Sequence, residues 1–120
     1  MIETFLFILF AATVSPEEYE IVVYEEYEAT AYSCEGITDE AQRLMNCPNG
    51  ITTSGTKPGK KTAACSRDML GRSVHILELD EVRKCEDTGG AIGPGEIDLY
   101  AVDISAALRF GRQKISVTII

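Results

Sequence analysis

Between residues 20 and 32 the chain reads E-I-V-V-Y-E-E-Y-E-A-T-A-Y, an imperfect alternation of apolar and polar positions. β-Branched and aromatic side chains fit a pleated surface, so this predicts one long strand, or two short ones, ending in Thr30-Ala31-Tyr32. The period then changes. Ala41, Leu44 and Met45 recur at helical spacing behind Asp39 and Glu40, predicting a short helix over residues 38–46. Alternation returns over residues 73–79, where Val74 and Ile76 interleave with His75 and Leu77, and again over 82–86. In the run 97–100, one face of a strand carries Ile97 and Leu99 and the other carries Asp98 and Tyr100. Residues 103–110 put Ile104, Ala107, Leu108 and Phe110 on one helical face, with Ser105 near the start, and Gly111 ends that helix. Residues 114–120 form a closing strand. Several strands, two short helices and no β-α-β rhythm predict a mainly β fold closed into a small barrel.

At 120 residues and 45% hydrophobic content the chain makes one domain with a single core. Residues 4–14, TFLFILFAATV, are apolar without a charge. Their length suits the hydrophobic region of an export signal or an anchor better than a membrane span, which takes about 20 residues. The preceding Met1-Ile2-Glu3 lacks the usual basic residue, and a buried N-terminal strand or helix is the alternative. The reading divides the chain into a hydrophobic segment, 1–15, associated with export or a membrane and cleaved near Ser15-Pro16, and a domain, 16–120. The net charge of −8 argues against a nucleic-acid partner, because phosphate neutralisation needs a clustered basic surface. The densest basic run, Lys57 to Lys61, reads as a mobile loop, solvated or facing an anionic glycan.

Four cysteines, Cys34, Cys47, Cys65 and Cys85, include no C-x-x-C pair, and there is a single histidine. A metal site is not implied. Disulfides in an oxidising compartment are the better reading, with reduced buried thiols the alternative in a cytoplasm. Of three pairings, Cys34–Cys47 with Cys65–Cys85 is favoured: the first staples a loop between two motifs, and the second ties the middle of the chain to the Asp87 loop. His75, in a strand away from the other candidates, reads as structural.

The candidate chemistry lies in D-T-G-G-A-I-G-P-G-E-I-D-L-Y, residues 87–100. Asp-Thr-Gly-Gly is a good turn sequence, and Gly89 and Gly90 allow positive φ and bring backbone amides toward a carboxylate or a sugar. Asp98 is placed among apolar neighbours, where desolvation raises a carboxyl pKa.

This stretch resembles the three-aspartate domain, matching its motif at Asp87, Gly89, Gly90, Ala91, Ile92, Ile97, Asp98, Leu99 and Tyr100. Further matches lie in order at Thr30-Ala31-Tyr32, Gly50-Ile51-Thr52-Thr53-Ser54-Gly55, Leu70-Gly71 with Val74 and Ile76, and Phe110-Gly111-Arg112-Gln113. They span about ninety residues. The resemblance implies a small six-stranded double-psi β-barrel with one or two short helices, similar to the catalytic barrel of the membrane-bound lytic transglycosylase A family. It also implies a secreted, cell-envelope or virion-associated protein acting on the peptidoglycan glycan strand, without a cofactor. Asp98 would be the single general acid/base and Asp87 would stabilise an oxocarbenium-like state. Tyr32, Thr52, Ser54, Gly89, Gly90 and Tyr100 would position glycan. A non-catalytic barrel that binds wall glycan, or a structural piece of a phage particle, is the alternative. The chain departs from the family where its first aspartate and proline are expected: Ala64 and Cys65 stand there, with Asp68 the nearest carboxylate; Arg67 and Arg72 read by default as unpaired surface arginines, with pairing to Asp87 or the substrate the alternative.

Overall fold

The computed structural model describes residues 4–9 and 20–120, with side chains from residue 21 onward. The described elements run β1 (Thr4–Leu9), β2 (Glu20–Tyr32), α1 (Glu40–Asn46), β3 (Thr62–Cys65), β4 (Ser73–Ile76), β5 (Glu81–Thr88), β6 (Glu96–Tyr100), α2 (Ile104–Phe110) and β7 (Gln113–Ile119). Strands β2-β6-β3-β5-β4-β7 lie side by side in that order, and a β2–β7 pairing closes them into a six-stranded barrel. The barrel is mixed: β2 with β6 and β3 with β5 are parallel, and the other barrel pairs are antiparallel. The connection from β2 to β3 must therefore cross β6, and the one from β5 to β6 must cross β3. Those two interlocked crossings are what the double-psi description names.

β1 stands outside the barrel, antiparallel to the first part of β2, from Thr4 opposite Glu25 to Leu9 opposite Glu20. It falls within the segment read as a leader or anchor. The cleavage position near Ser15-Pro16 lies outside the described residues. No helix among the described residues is long and apolar enough to cross a membrane.

The core is filled by Val74, Ile76, Ile97, Leu99, Ile115 and Val117, with Ala29 and Ala63 fully buried among them. Each fully buried isoleucine contributes about 2 to 3 kcal/mol through the surface it removes from water. Cys65 and Cys85, both fully buried, are bonded to each other across β3 and β5. Cys34 and Cys47 are bonded at the end of β2 and the end of α1, so the pairing is the one favoured from the sequence.

The structure departs from the sequence pattern in several places. β3 had no signal, because all four of its residues, T-A-A-C, are buried and a strand covered on both faces loses its alternation. β4 stops at Ile76, and residues 77–80 turn with Asp80 at φ 46°. β5 continues through Asp87 and Thr88, so Asp87 belongs to a strand and the turn starts after it. In α2, with Asp103 as its N-cap, Ala107 is buried but Leu108 is 74% exposed, so the apolar face is narrower than its spacing suggested. α1 starts behind its N-cap Asp39 and buries none of its residues, Leu44 and Met45 included.

Candidate functional site

Because Ile97 and Leu99 face the core, Asp98 and Tyr100 are turned to the outside of the barrel. Register then builds a row across four strands: Thr30 lies opposite Asp98, Asp98 opposite Ala64, and Ala64 opposite Asp87. A bulge makes the last pairing. Ala63 pairs with Cys85 and Ala64 with Asp87, leaving Glu86 as the extra residue that brings Asp87 onto this face. The methyl of Ala64 thus occupies the middle of the row, with a carboxylate on the strand to either side.

Asp98 is half-buried, and the Thr30 hydroxyl donates to its Oδ1 at 3.1 Å. Burial pushes its carboxyl pKa above the ordinary value; the Thr30 hydrogen bond works against that shift, and the charge of Asp87 adds to it. Replacing Thr30 by Val removes the opposing bond. The Asp98 carboxyl is then expected to titrate at higher pH than in the wild type when followed by carbon NMR, and an unchanged or lower midpoint would contradict this account.

Asp87 accepts four hydrogen bonds. Tyr32 donates its hydroxyl to Oδ2 at 2.9 Å, while Oδ1 receives the Thr53 amide, the Thr53 hydroxyl and the Thr88 amide, each at 3.0 Å. Thr53 lies on the crossing connection from β2 to β3, so Asp87 pins that connection to the barrel wall. Tyr32 is held as a donor, because burial first and the neighbouring Asp87 next raise its pKa far above the usual phenol value. Its ring meets Tyr100 edge to face, centroids 5.4 Å apart, and the two rings cover Ala64 together with half-buried Ile92.

The expected glycine cradle is not what holds Asp87. Its amides come from Thr53 and Thr88, and positive φ in this turn belongs to Gly95, at 77°, rather than to Gly89 or Gly90. Gly89 serves by its lack of a side chain: a Cβ there would stand 3.0 Å from Ile92 Cδ1. Thr52 is buried and shares a hydrogen bond with Thr56 Oγ1 at 2.7 Å, and Thr56 in turn donates to the Glu86 carboxylate. Thr52 is therefore a brace inside the loop, whereas Ser54 is exposed. The hydroxyls on the two aspartates, Thr53 and Thr30, were not singled out from the sequence, since the run T-T-S does not reveal which of its members turns inward. Arg67 and Arg72 are exposed and do not bond Asp87, and the charge of Asp68 bears on Tyr27 rather than on the row. His75 bonds Tyr24 Oη at 2.7 Å through Nδ1 and Asp80 at 3.0 Å through Nε2, and bonds neither Asp87 nor Asp98.

A groove of about 430 Å³ runs beside Asp87. One wall is Met45, Asn46, Pro48, Asn49 and Ile51 from the crossing connection; Thr52, Thr53, Asp87, Thr88, Gly89 and Gly90 complete the lining, which holds one carboxylate and no cation. Asp98 is outside this lining. The first wall has no anchor in the core and is held by the Cys34–Cys47 disulfide and by Asn46 Nδ2 donating to Ser33 O at 3.3 Å. Cys34→Ser/Cys47→Ser protein is therefore expected to be cut within residues 35–51 roughly tenfold faster in limited proteolysis, with the barrel fragment surviving, since local opening precedes cleavage. Cleavage no faster than in the wild type would show the wall to be held by something else.

Among the described residues, no three His, Cys, Asp or Glu side chains come together as metal ligands. No protein-family model matches the chain, and no curated protein matches its sequence.

Proposed function

We propose that the chain is a peptidoglycan lytic transglycosylase of the cell envelope, secreted or carried on a virion, with Asp98 as its single acid and base. The observation that carries this reading is the state of Asp98, a half-buried carboxyl whose pKa is raised by burial and by the second carboxylate across Ala64. Such a group keeps its proton to higher pH than an exposed carboxyl, which is what a general acid needs. In the proposed reaction Asp98 gives its proton to the glycosidic oxygen between MurNAc and GlcNAc, and the C1–O bond breaks. The resulting carboxylate then takes the proton of the muramoyl 6-hydroxyl as that oxygen closes on C1. The products are a free GlcNAc hydroxyl and a 1,6-anhydromuramoyl end, with Asp98 protonated again. No water enters, so no second base is required. Asp87 lends negative charge to the oxocarbenium-like state, and Tyr32 and Thr53 fix its position. Tyr100 packs on Tyr32, while Thr53, Gly89 and Gly90 line the path of the glycan.

A second reading, a barrel that binds wall glycan or builds a phage particle without cleaving anything, is favoured by one specific observation. The groove contains Asp87 but not Asp98, and the position between them is an alanine. Mass spectrometry of sugars released from peptidoglycan separates the two. Anhydromuropeptides support the transglycosylase, reducing-end products mean a hydrolase, and wall binding with no released sugar selects the binding module.

A further inference from the structure

At one end of the barrel the starts of β3 and β5 meet the ends of β4 and β6, because β3 runs parallel to β5 and antiparallel to β6, and β4 antiparallel to β5. A cavity of about 330 Å³ lies at this end. Its lining is mostly apolar: Leu79 from the turn after β4, Leu99 from β6, Val102 just beyond it, and Ala106 and Phe110 from α2. Phe110 packs against the core behind, whereas Leu79 is 41% and Val102 76% exposed. Large apolar side chains held open to solvent around a concavity of small-ligand size, ~300–1,000 Å³, mark a binding site better than scattered surface residues do.

Buried Arg83 fixes the polar side of this cavity. Its Nη1 donates to Thr62 O at 2.8 Å and to Tyr100 O at 2.9 Å, just past the point where β3 and β6 stop pairing, and its Nε donates to Glu81 at 2.9 Å. Arg83 and Glu81 also line a second cavity of about 400 Å³, together with Lys60, Lys61 and Val82, and Lys60 borders both. The two lysines are exposed, and neither forms an ion pair among the described residues. The other acids of the adjoining turn are engaged elsewhere: Glu78 accepts from the Ser116 amide and hydroxyl, and Asp80 bonds His75. With Glu81 cancelled by Arg83, Lys60 and Lys61 leave the second cavity at +2 in a chain of −8. An apolar cavity and a cationic one thus adjoin across Lys60 and the Arg83–Glu81 pair.

We propose that the two adjoining cavities bind a single-chain amphiphile with an anionic head, its alkyl part against Leu79, Val102 and Phe110 and its head at Lys60 and Lys61. Charge chooses the occupant, since a neutral amphiphile gains nothing from the lysines and a cationic one is repelled by them. Neither cavity shares a lining residue with the groove beside Asp87, so this site does not rest on the wall reading above.

The test is an NMR titration of the full chain with octanoate, at concentrations where octanoate is monomeric. Shifts are expected at the amides of Leu79, Val102 and Phe110, and not at those of Thr53 and Gly89 in the groove. Lengthening the probe from hexanoate to octanoate should tighten binding by up to about fourfold for each CH₂. Uncharged 1-octanol should bind roughly fivefold more weakly than octanoate, the scale of an exposed ion pair, and Lys60→Gln/Lys61→Gln protein should lose that preference. Val102→Asp protein is expected to bind octanoate at least tenfold more weakly. Leu108→Asp, at a position of α2 that is 74% exposed and outside the lining, is expected to change binding less than twofold, with thermal melting unchanged in both variants. No shift with octanoate, shifts confined to the groove, equal binding of 1-octanol, or equal loss with Leu108→Asp would overturn the site. Shifts of the same amides on dilution of the protein alone would give this surface to a second copy of the chain and overturn it as well.

Discussion

Asp98→Asn protein is expected to release anhydromuropeptides at least ~10²-fold more slowly than the wild type, the lower end of what a positioned acid and base contributes. Asparagine keeps the shape of the side chain and an oxygen for the Thr30 hydroxyl, but it has no proton of suitable acidity to give. Folding should not suffer. A carboxyl whose folded-state pKa is raised binds more protons folded than unfolded in the window above its ordinary value, so it removes stability as pH rises through that window. Removing it should leave thermal stability at neutral pH unchanged or slightly higher. The same shift sets the pH dependence: wild-type activity is expected to fall as pH rises through the elevated pKa of Asp98, and that limb should be missing from whatever activity the variant retains. Circular dichroism, wall binding and product analysis on the two proteins check all three points. A folded variant with wild-type turnover would place the acid elsewhere.

Loss of the Cys65–Cys85 bond should be the largest single blow to stability. Cys65→Ala/Cys85→Ala protein is expected to lose about 3 kcal/mol, from the closed loop in the unfolded chain together with packing around two core sulfurs. For a domain of this length that lowers the melting temperature by roughly 10 to 15 °C. The bridge joins β3 to β5, the central parallel pair of the barrel, and both residues are fully buried. Breaking Cys34–Cys47 instead frees a segment in which α1 buries no residue, so its effect on the global transition should be smaller. Calorimetry of the two double variants gives the order directly, and a larger drop for the Cys34/Cys47 protein would reverse this assignment.

What the sequence made legible depended on how each residue is buried. Asp98 was readable because its strand faces core and exterior on alternate positions, and a carboxylate between Ile97 and Leu99 has one place to go. β3 was not, since a strand buried on both faces has no period to read, yet it carries Ala64, the centre of the row. The partners of Asp87 were misread for a different reason. Glycines adjacent in sequence suggested a local cradle, whereas the amide of Thr53 arrives from thirty-four positions away along a crossing connection that local spacing does not encode.

The two crossings also govern how the chain must fold. β2, made first among the barrel strands, has its barrel neighbours in β6 and β7, the last strands to be synthesised, so its edges have no barrel partner while the chain is incomplete. Contacts so distant in sequence close late and slowly, on the millisecond-to-second scale typical of non-local β topologies. A nascent chain lacking residues 113–119 would have β2 and β4 without the strand that joins them, and the barrel would stand open beside the four strands that carry the row from Thr30 to Asp87. The four strands that carry the site are therefore made before the strand that closes the barrel around them.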